Sequence, residues 1–257
     1  MATLQTIAAR LDELLETARI PDYPPAVNGI QVENRAEIRG VAVAVDCSQR
    51  TIDGALAADA NLLVVHHGLL WGGLQPIRGA FYERLYRLLS RGIAVYSSHL
   101  PLDAHPEVGN NVLLARELGL TPGGRFARLQ SLEIGVRGES ANPTRELVAR
   151  SDAFARRHGG QAIATAFDPS AITRRWGICT GAGASADTLR EAVALGLDTL
   201  IVGEGPHWTA VDAPELGLIV IYAGHYATET LGVQALGGWL EREFGLPWRF
   251  IEAPTGL

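Results

Sequence analysis

The chain has 257 residues, 47% of them hydrophobic and 19% charged, with a formal net charge of −6. This composition is that of a folded globular protein with room for one large domain or two ordinary ones; it excludes a disordered chain, and the acidic balance argues against a general nucleic-acid binder. Two cysteines occur, Cys47 and Cys179, in apolar or Ser/Thr-flanked stretches, so buried reduced thiols are expected rather than a disulfide.

From Thr3 the chain predicts an amphipathic helix, with Leu4, Ile7, Ala8, Leu11, Leu14 and Leu15 on one face and Asp12, Glu13 and Glu16 opposite. This is neither a secretory signal nor a transit peptide, and no stretch reaches the roughly 18 apolar residues of a membrane span, so a cytoplasmic protein with no membrane partner is expected. The Pro-rich segment 21–29 excludes helix and central strand. Val41–Val45 reads as a strand, followed by a helix through Ala60 that Ser48 or Thr51 can cap. Leu62–Val65 is the next strand, then a Gly-rich loop over 68–79, a helix near 81–90 and a strand over 93–96. Asn110–Leu118 looks helical and closes at Gly119, with Pro122-Gly123-Gly124 as a linker. A second half follows: a strand at 132–136, a helix after Pro143, and strands near 161–166 and 176–179. Alternating strands and helices indicate α/β architecture with largely parallel sheets flanked by helices.

The two halves resemble each other. Thr51–Trp71 aligns without gaps to Thr188–Trp208, matching Thr51/Thr188, Ala55/Ala192, Leu63/Leu200, Val65/Val202, Gly68/Gly205 and Trp71/Trp208. Farther on, Val95-Tyr-Ser-Ser-His99 lines up with Ile221-Tyr-Ala-Gly-His225. An internal duplication is therefore expected, giving two α/β domains of similar topology. The expected boundaries are 1–124 plus 225–257 for the first domain, with the terminal helix returning, and 125–224 for the second.

The chemistry concentrates at strand ends. His66 and His67 terminate one strand, where neighbouring side chains leave on opposite faces, so each would hold its own ion. Two His-x3-acid elements, His99…Asp103 and His225…Glu229, follow other strands. Pro101 suggests that Asp103 lies in a loop. His99 could ligate, orient Asp103 or act as an acid or base, and Glu204 and His207, in the loop matching the His-His loop, could serve substrate or proton transfer. His105 reads as an exposed turn, Asn110-Asn111 as helix caps, His158 as a solvated helix end, and Gly181-Ala182-Gly183 as a plain turn. Mixed imidazole and carboxylate donors suit two divalent ions, Zn, Fe, Mn or Co. Such a pair, about 3.5–4 Å apart, would share a carboxylate and a water, generating a bridging hydroxide for hydrolysis or a cyclohydrolase-type attack. No Walker loop, dinucleotide fingerprint or Gly-x-Ser-x-Gly elbow is present.

Val65-His66-His67-Gly68, Ser98-His99-Leu-Pro-Leu-Asp103 through Asn111, Ala223-Gly224-His225-Tyr-Ala-Thr-Glu229, Asp22 to Gly29 and Val202-Gly-Glu204-Gly-Pro-His207 resemble the NIF-three-like dinuclear metal-centre proteins, GTP cyclohydrolase I type 2 homologues, over nearly the whole chain. The resemblance implies that His67 and Asp103 bind one metal, His66 and His225 the other, and that Glu229 bridges them. It also implies two interlinked α/β domains assembled as a toroidal homohexamer. Two functions follow as expectations: a metal-dependent hydrolase of a small, nucleotide-like substrate, or a non-catalytic metal-binding or regulatory ring built from the same ligands.

Overall fold

The computed structural model describes residues 3–257. Chain contacts divide it into two compact units, Met1–Leu102 with Gly232–Ala253, and Asp103–Leu231 with Pro254–Leu257.

In the first unit, the Thr3 hydroxyl caps α1 (Leu4–Leu14), accepting from Thr6 N at 3.2 Å, and Leu4, Ile7, Ala8 and Leu11 are buried. A 3-10 turn (Pro24–Ala26) leads into β1 (Gly29–Val32). Then come β2 (Val41–Asp46), α2 (Gln49–Ala57), β3 (Leu62–His67), α3 (Gly79–Arg91) and β4 (Ala94–Ser97). A single turn, α4 (Leu100–Asp103), crosses to the second unit. There follow α5 (Asn110–Glu117), β5 (Gly124–Leu129), β6 (Leu132–Pro143), α6 (Thr144–Arg157), β7 (Ile163–Ala164), β8 (Ile172–Cys179), α7 (Ala186–Ala194), β9 (Thr199–Val202), α8 (His207–Glu215), β10 (Ile219–Tyr222) and α9 (His225–Thr228). Helix α10 (Thr230–Phe244) begins in the second unit and returns the chain to the first, where β11 (Trp248–Phe250) ends it.

The first sheet has the order β1-β4-β3-β2-β11, parallel except for the β1 edge. The second has the order β5-β6-β8-β9-β10-β7; β8, β9 and β10 are parallel, and the flanking strands are antiparallel. The shared plan is an antiparallel edge strand preceding three parallel strands in the orders β2-β3-β4-β1 and β8-β9-β10-β7. Duplication reaches the caps: Ser48 and Ser185 accept from Thr51 N and Thr188 N at the heads of α2 and α7.

The third strands differ from the sequence alignment by one residue. Val65 lies opposite Ser97 and its counterpart Val202 lies opposite Tyr222, so Ser97, not Tyr96, is the equivalent of Tyr222. A one-residue slip exchanges faces in a strand. Accordingly, Tyr96 is buried and donates to Asp12 Oδ1 at 2.8 Å, whereas the half-buried Tyr222 meets Thr209 Oγ1 at 2.8 Å. His99 thus corresponds to Gly224, and the two His-x3-acid elements are not equivalent positions.

Helices cover both faces of the second sheet. Ile178, Ile201 and Ile221 pack with Val112, Leu114, Leu147, Phe154 and Trp176, while Cys179, Leu200, Val202 and Val220 pack with Phe126, Leu189 and Ala213. The burial of Val112 and Leu114 in this core explains why residues 103–124 group with the second unit; the divisions fall after Leu102 and Leu231, not at 124 and 224. Pro122-Gly123-Gly124 is no linker, because Gly123 N donates to Arg137 O at 2.9 Å and opens the β5–β6 hairpin. Among the described residues no helix is long and apolar enough to cross a membrane.

Candidate metal centre

In the first unit, β3 continues in register through His67, which lies opposite Asp46. At this strand end His66 and His67 lie side by side. Their ring centroids are 4.7 Å apart, and His66, His67 and His99 offer ligand atoms all within 4.8 Å of one another. Alternation sets where Cβ leaves the backbone, but an imidazole is long enough to swing back toward its neighbour.

Each ring of the trio is held by an acceptor at Nδ1. His66 Nδ1 lies 2.9 Å from the Ser98 carbonyl, His67 Nδ1 2.9 Å from Asp46 Oδ1 and His99 Nδ1 2.8 Å from Asp22 Oδ1. A carbonyl or carboxylate there fixes the tautomer with hydrogen on Nδ1 and turns Nε2 into the donor atom for a metal, the usual arrangement of ligating histidines. Asp22 is itself over-determined: it accepts from Tyr23 N, Asn28 Nδ2 and Leu100 N, and Asn28 Oδ1 accepts from His99 N. Burial alone would raise the Asp22 pKa, but the His99 hydrogen bond and charge, with Asn28 and Leu100, hold it below the ordinary value.

Gln31 ties two loops of this unit together. Its Nε2 donates to Ala26 O and Val27 O at 3.0 Å, and its Oε1 accepts from Leu70 N at 3.2 Å. A Cβ on Gly68 would overlap that side chain, which accounts for the glycine after the histidine pair. Val27 is held at φ 42°, a left-handed conformation unusual for a β-branched residue.

The second unit has its own group of acids around one imidazole. His225 opens α9, with Nδ1 2.7 Å from Glu204 Oε1 and Nε2 3.1 Å from Glu229 Oε2. Burial would lower the His225 pKa, but Glu229 and then Glu204 outweigh it and raise it to about 9. Glu229 is buried against the backbone of the 181–183 loop: a Cβ on Gly181 (φ 61°) would overlap its carboxylate, and Gly181 N donates to Thr228 Oγ1. Asp103 ends α4, a helical turn and not a loop; Pro101 sits in the first turn, where its missing N–H costs nothing. Asn110 Nδ2 donates to Asp103 Oδ1 at 2.8 Å, while Asn111 bridges Asp103 O, Ile134 O and Thr180 N. Both asparagines are buried braces of the Asp103 turn, not caps; the cap of α5 is Gly109.

The other candidates resolve differently. Glu204 is the orienting partner of His225. His207 is exposed at the start of α8, and its side chain makes no hydrogen bond or ion pair among the described residues. His105 Nδ1 accepts from Glu107 N and Val108 N, as a turn brace. Both cysteines are free; burial, reinforced at Cys179 by Asp103 and Glu229, pushes each thiol up to about 12 and leaves it a poor ligand. Sequence reasoning missed Asp22 and Asp46 as imidazole partners. Asp46 had a signal, since it ends the strand beside the one carrying the histidines.

The donor set suits divalent transition metals, with imidazole Nε2 atoms already directed by their Nδ1 partners. The Duf34/NIF3 (NGG1p interacting factor 3) model matches residues 2–255. A protein of Deinococcus radiodurans called GTP cyclohydrolase 1 type 2 homolog is 43% identical, covering 96% of this chain and 94% of that one. A namesake from Pyrococcus horikoshii is 41% identical over 98% of each. Among solved structures, that of ybgI, of unknown function, superposes with a TM-score of 0.88 at 35% identity, covering 99% of this chain and all of that one. The chain belongs to the Duf34/NIF3 family.

Proposed function

We propose that the protein is a dinuclear metal-dependent hydrolase of a small, nucleotide-like substrate. In this reading His67 and Asp103 hold one divalent ion, His66 and His225 hold a second, and Glu229 bridges. The observation that carries it is the set of hydrogen bonds at Nδ1 of His66, His67 and His225, which makes Nε2 the metal-binding atom of each ring. Two ions of the Zn, Fe, Mn or Co class would supply Lewis acidity and lower the pKa of a water. The chain's own groups do the rest. Asp46 and Glu204 hold His67 and His225 at 2.9 and 2.7 Å. His99, fixed by Asp22, carries a proton to or from substrate, and the exposed His207 meets substrate rather than metal. A cyclohydrolase-type reaction fits the names of the relatives, and a homohexameric ring is the assembly that we assign.

Metal analysis of protein purified without chelator tests the reading, with about two ions per chain expected, falling below one in His67→Ala and in Glu229→Gln while circular dichroism is unchanged. Less than one ion per wild-type chain overturns it. Two ions with no turnover across phosphoester, amide and purine panels would make it a metal-binding protein without hydrolase activity.

A further inference from the structure

Two large aromatic side chains stand exposed against His99. Trp71 is 39% exposed and meets His99 edge-on, with centroids 4.7 Å apart and planes at 67°. Tyr23 is 47% exposed and lies 6.1 Å from the same ring, tilted by 45°. Trp71 also approaches His67, at 5.4 Å. The two residues arrive on separate loops, yet both approach the His99 ring, which is itself only 8% exposed.

Neither ring is placed by accident of a loose loop. Trp71 occupies a tight turn closed by Gly73 N to Leu70 O at 2.8 Å, and Leu70 is clamped through its N–H to Gln31. Gln31 at the same time fixes the carbonyls of Ala26 and Val27, at the end of the segment that begins with Asp22 and Tyr23. One amide therefore joins the segments that carry the two aromatic residues. An edge-on contact to His99 leaves much of the indole surface uncovered. Exposed, pre-positioned aromatic rings beside a cluster of polar donors are the composition of a ligand pocket, with apolar walls for binding and a few convergent polar groups for chemistry.

We propose that Trp71 and Tyr23 form an aromatic clamp that binds the planar heteroaromatic ring of a small substrate beside His99. The inference rests on the imidazole trio being the reactive end of the site. Rings of this kind stack on aromatic side chains without needing a particular hydrogen-bond pattern, so the clamp selects a ring class and leaves the exact base to other groups. It makes Trp71 and Tyr23 specificity-determining residues. The remaining exposed apolar residues of the same loop, Leu74 and Ile77, leave a second copy of the chain as the competing occupant.

The test is a calorimetric titration of the full-length, metal-loaded protein with inosine. Saturable heat is expected, with ribose 5-phosphate giving none. Trp71→Ala should weaken inosine binding by roughly tenfold or more, Trp71→Phe should restore most of it, and Tyr23→Ala should weaken it less. Metal content should stay unchanged in all three variants, so loss of the clamp is separable from loss of the metal centre. The inference is overturned if inosine and ribose 5-phosphate bind alike, if Trp71→Ala binds inosine as the parent does, or if acrylamide reaches Trp71 only after the assembly is dissociated.

Discussion

Asp22 Oδ1 and His99 Nδ1 lie 2.8 Å apart across 77 residues of chain, and the same carboxylate accepts backbone N–H groups from Tyr23 and Leu100. One side chain thus pins a proline-rich loop to the end of β4. Asp22→Ala leaves buried donors without an acceptor and is expected to cost about 2–3 kcal/mol in urea unfolding. The acid limb carries a second signature. Because the folded pKa of Asp22 lies below the ordinary 3.8, its contribution is present above that value and is lost as pH falls through the folded one. Denaturation midpoints measured on the acid side should fall less steeply in the variant.

His225 reverses the sign. Its pKa in the metal-free protein is raised from 6.5 to about 9, so its stabilising contribution is complete below pH 6.5 and is lost as pH rises through about 9. A metal at Nε2 must displace that proton. Affinity for zinc, read by competition with a chromophoric chelator, should therefore climb between pH 6.5 and 9, by up to about tenfold per unit. Glu204→Gln should flatten the climb by removing one of the two charges that hold the proton.

Gly181 and Gly73 both have positive φ, 61° and 69°, but only at Gly181 would a Cβ overlap a side chain, that of Glu229. Gly73→Ala should cost about 1–2 kcal/mol, the price of the left-handed conformation alone. Gly181→Ala should cost about 2 kcal/mol more from the added clash, and should lower metal content while Gly73→Ala leaves it intact. Thermal unfolding and metal analysis of the pair would separate the two effects.

The paired caps offer a check on the duplication. Ser48→Ala and Ser185→Ala each remove an acceptor from a helix N-terminus, at 3.2 and 3.1 Å from Thr51 N and Thr188 N. Each should cost about 1 kcal/mol in chemical denaturation. A loss in Ser48→Ala several times that in Ser185→Ala would show that the two helix starts are not energetically equivalent.

Much of the architecture was legible because it is local. Ser48 before an amphipathic run, the β-branched stretch before His66 and the gapless match of Thr51–Trp71 to Thr188–Trp208 each announce an element by short-range pattern. Strand β5 was hidden, since Pro122-Gly123-Gly124 carries turn chemistry and its strand pairing depends on β6. The slip of β10 against the alignment was equally invisible: Tyr96 and Tyr222 are the same residue type, and only the ladder shows that they face different ways. At the site, the imidazoles and acids were evident as residue types at strand ends. Their supports were not, because Asp22, Asn110 and Asn111 look like ordinary turn and cap residues until their distant acceptors and donors are known.

Gln31 and Gly68 occupy one volume between them, the amide of the first filling the space that a Cβ on the second would need. A methyl group at 68 would push the Gln31 amide aside, and displacing that amide, like shortening residue 31, would release Leu70 and the 26–27 carbonyls together. The two positions are thus expected to change as a couple across descendants of this chain, each acting as the licence for the other.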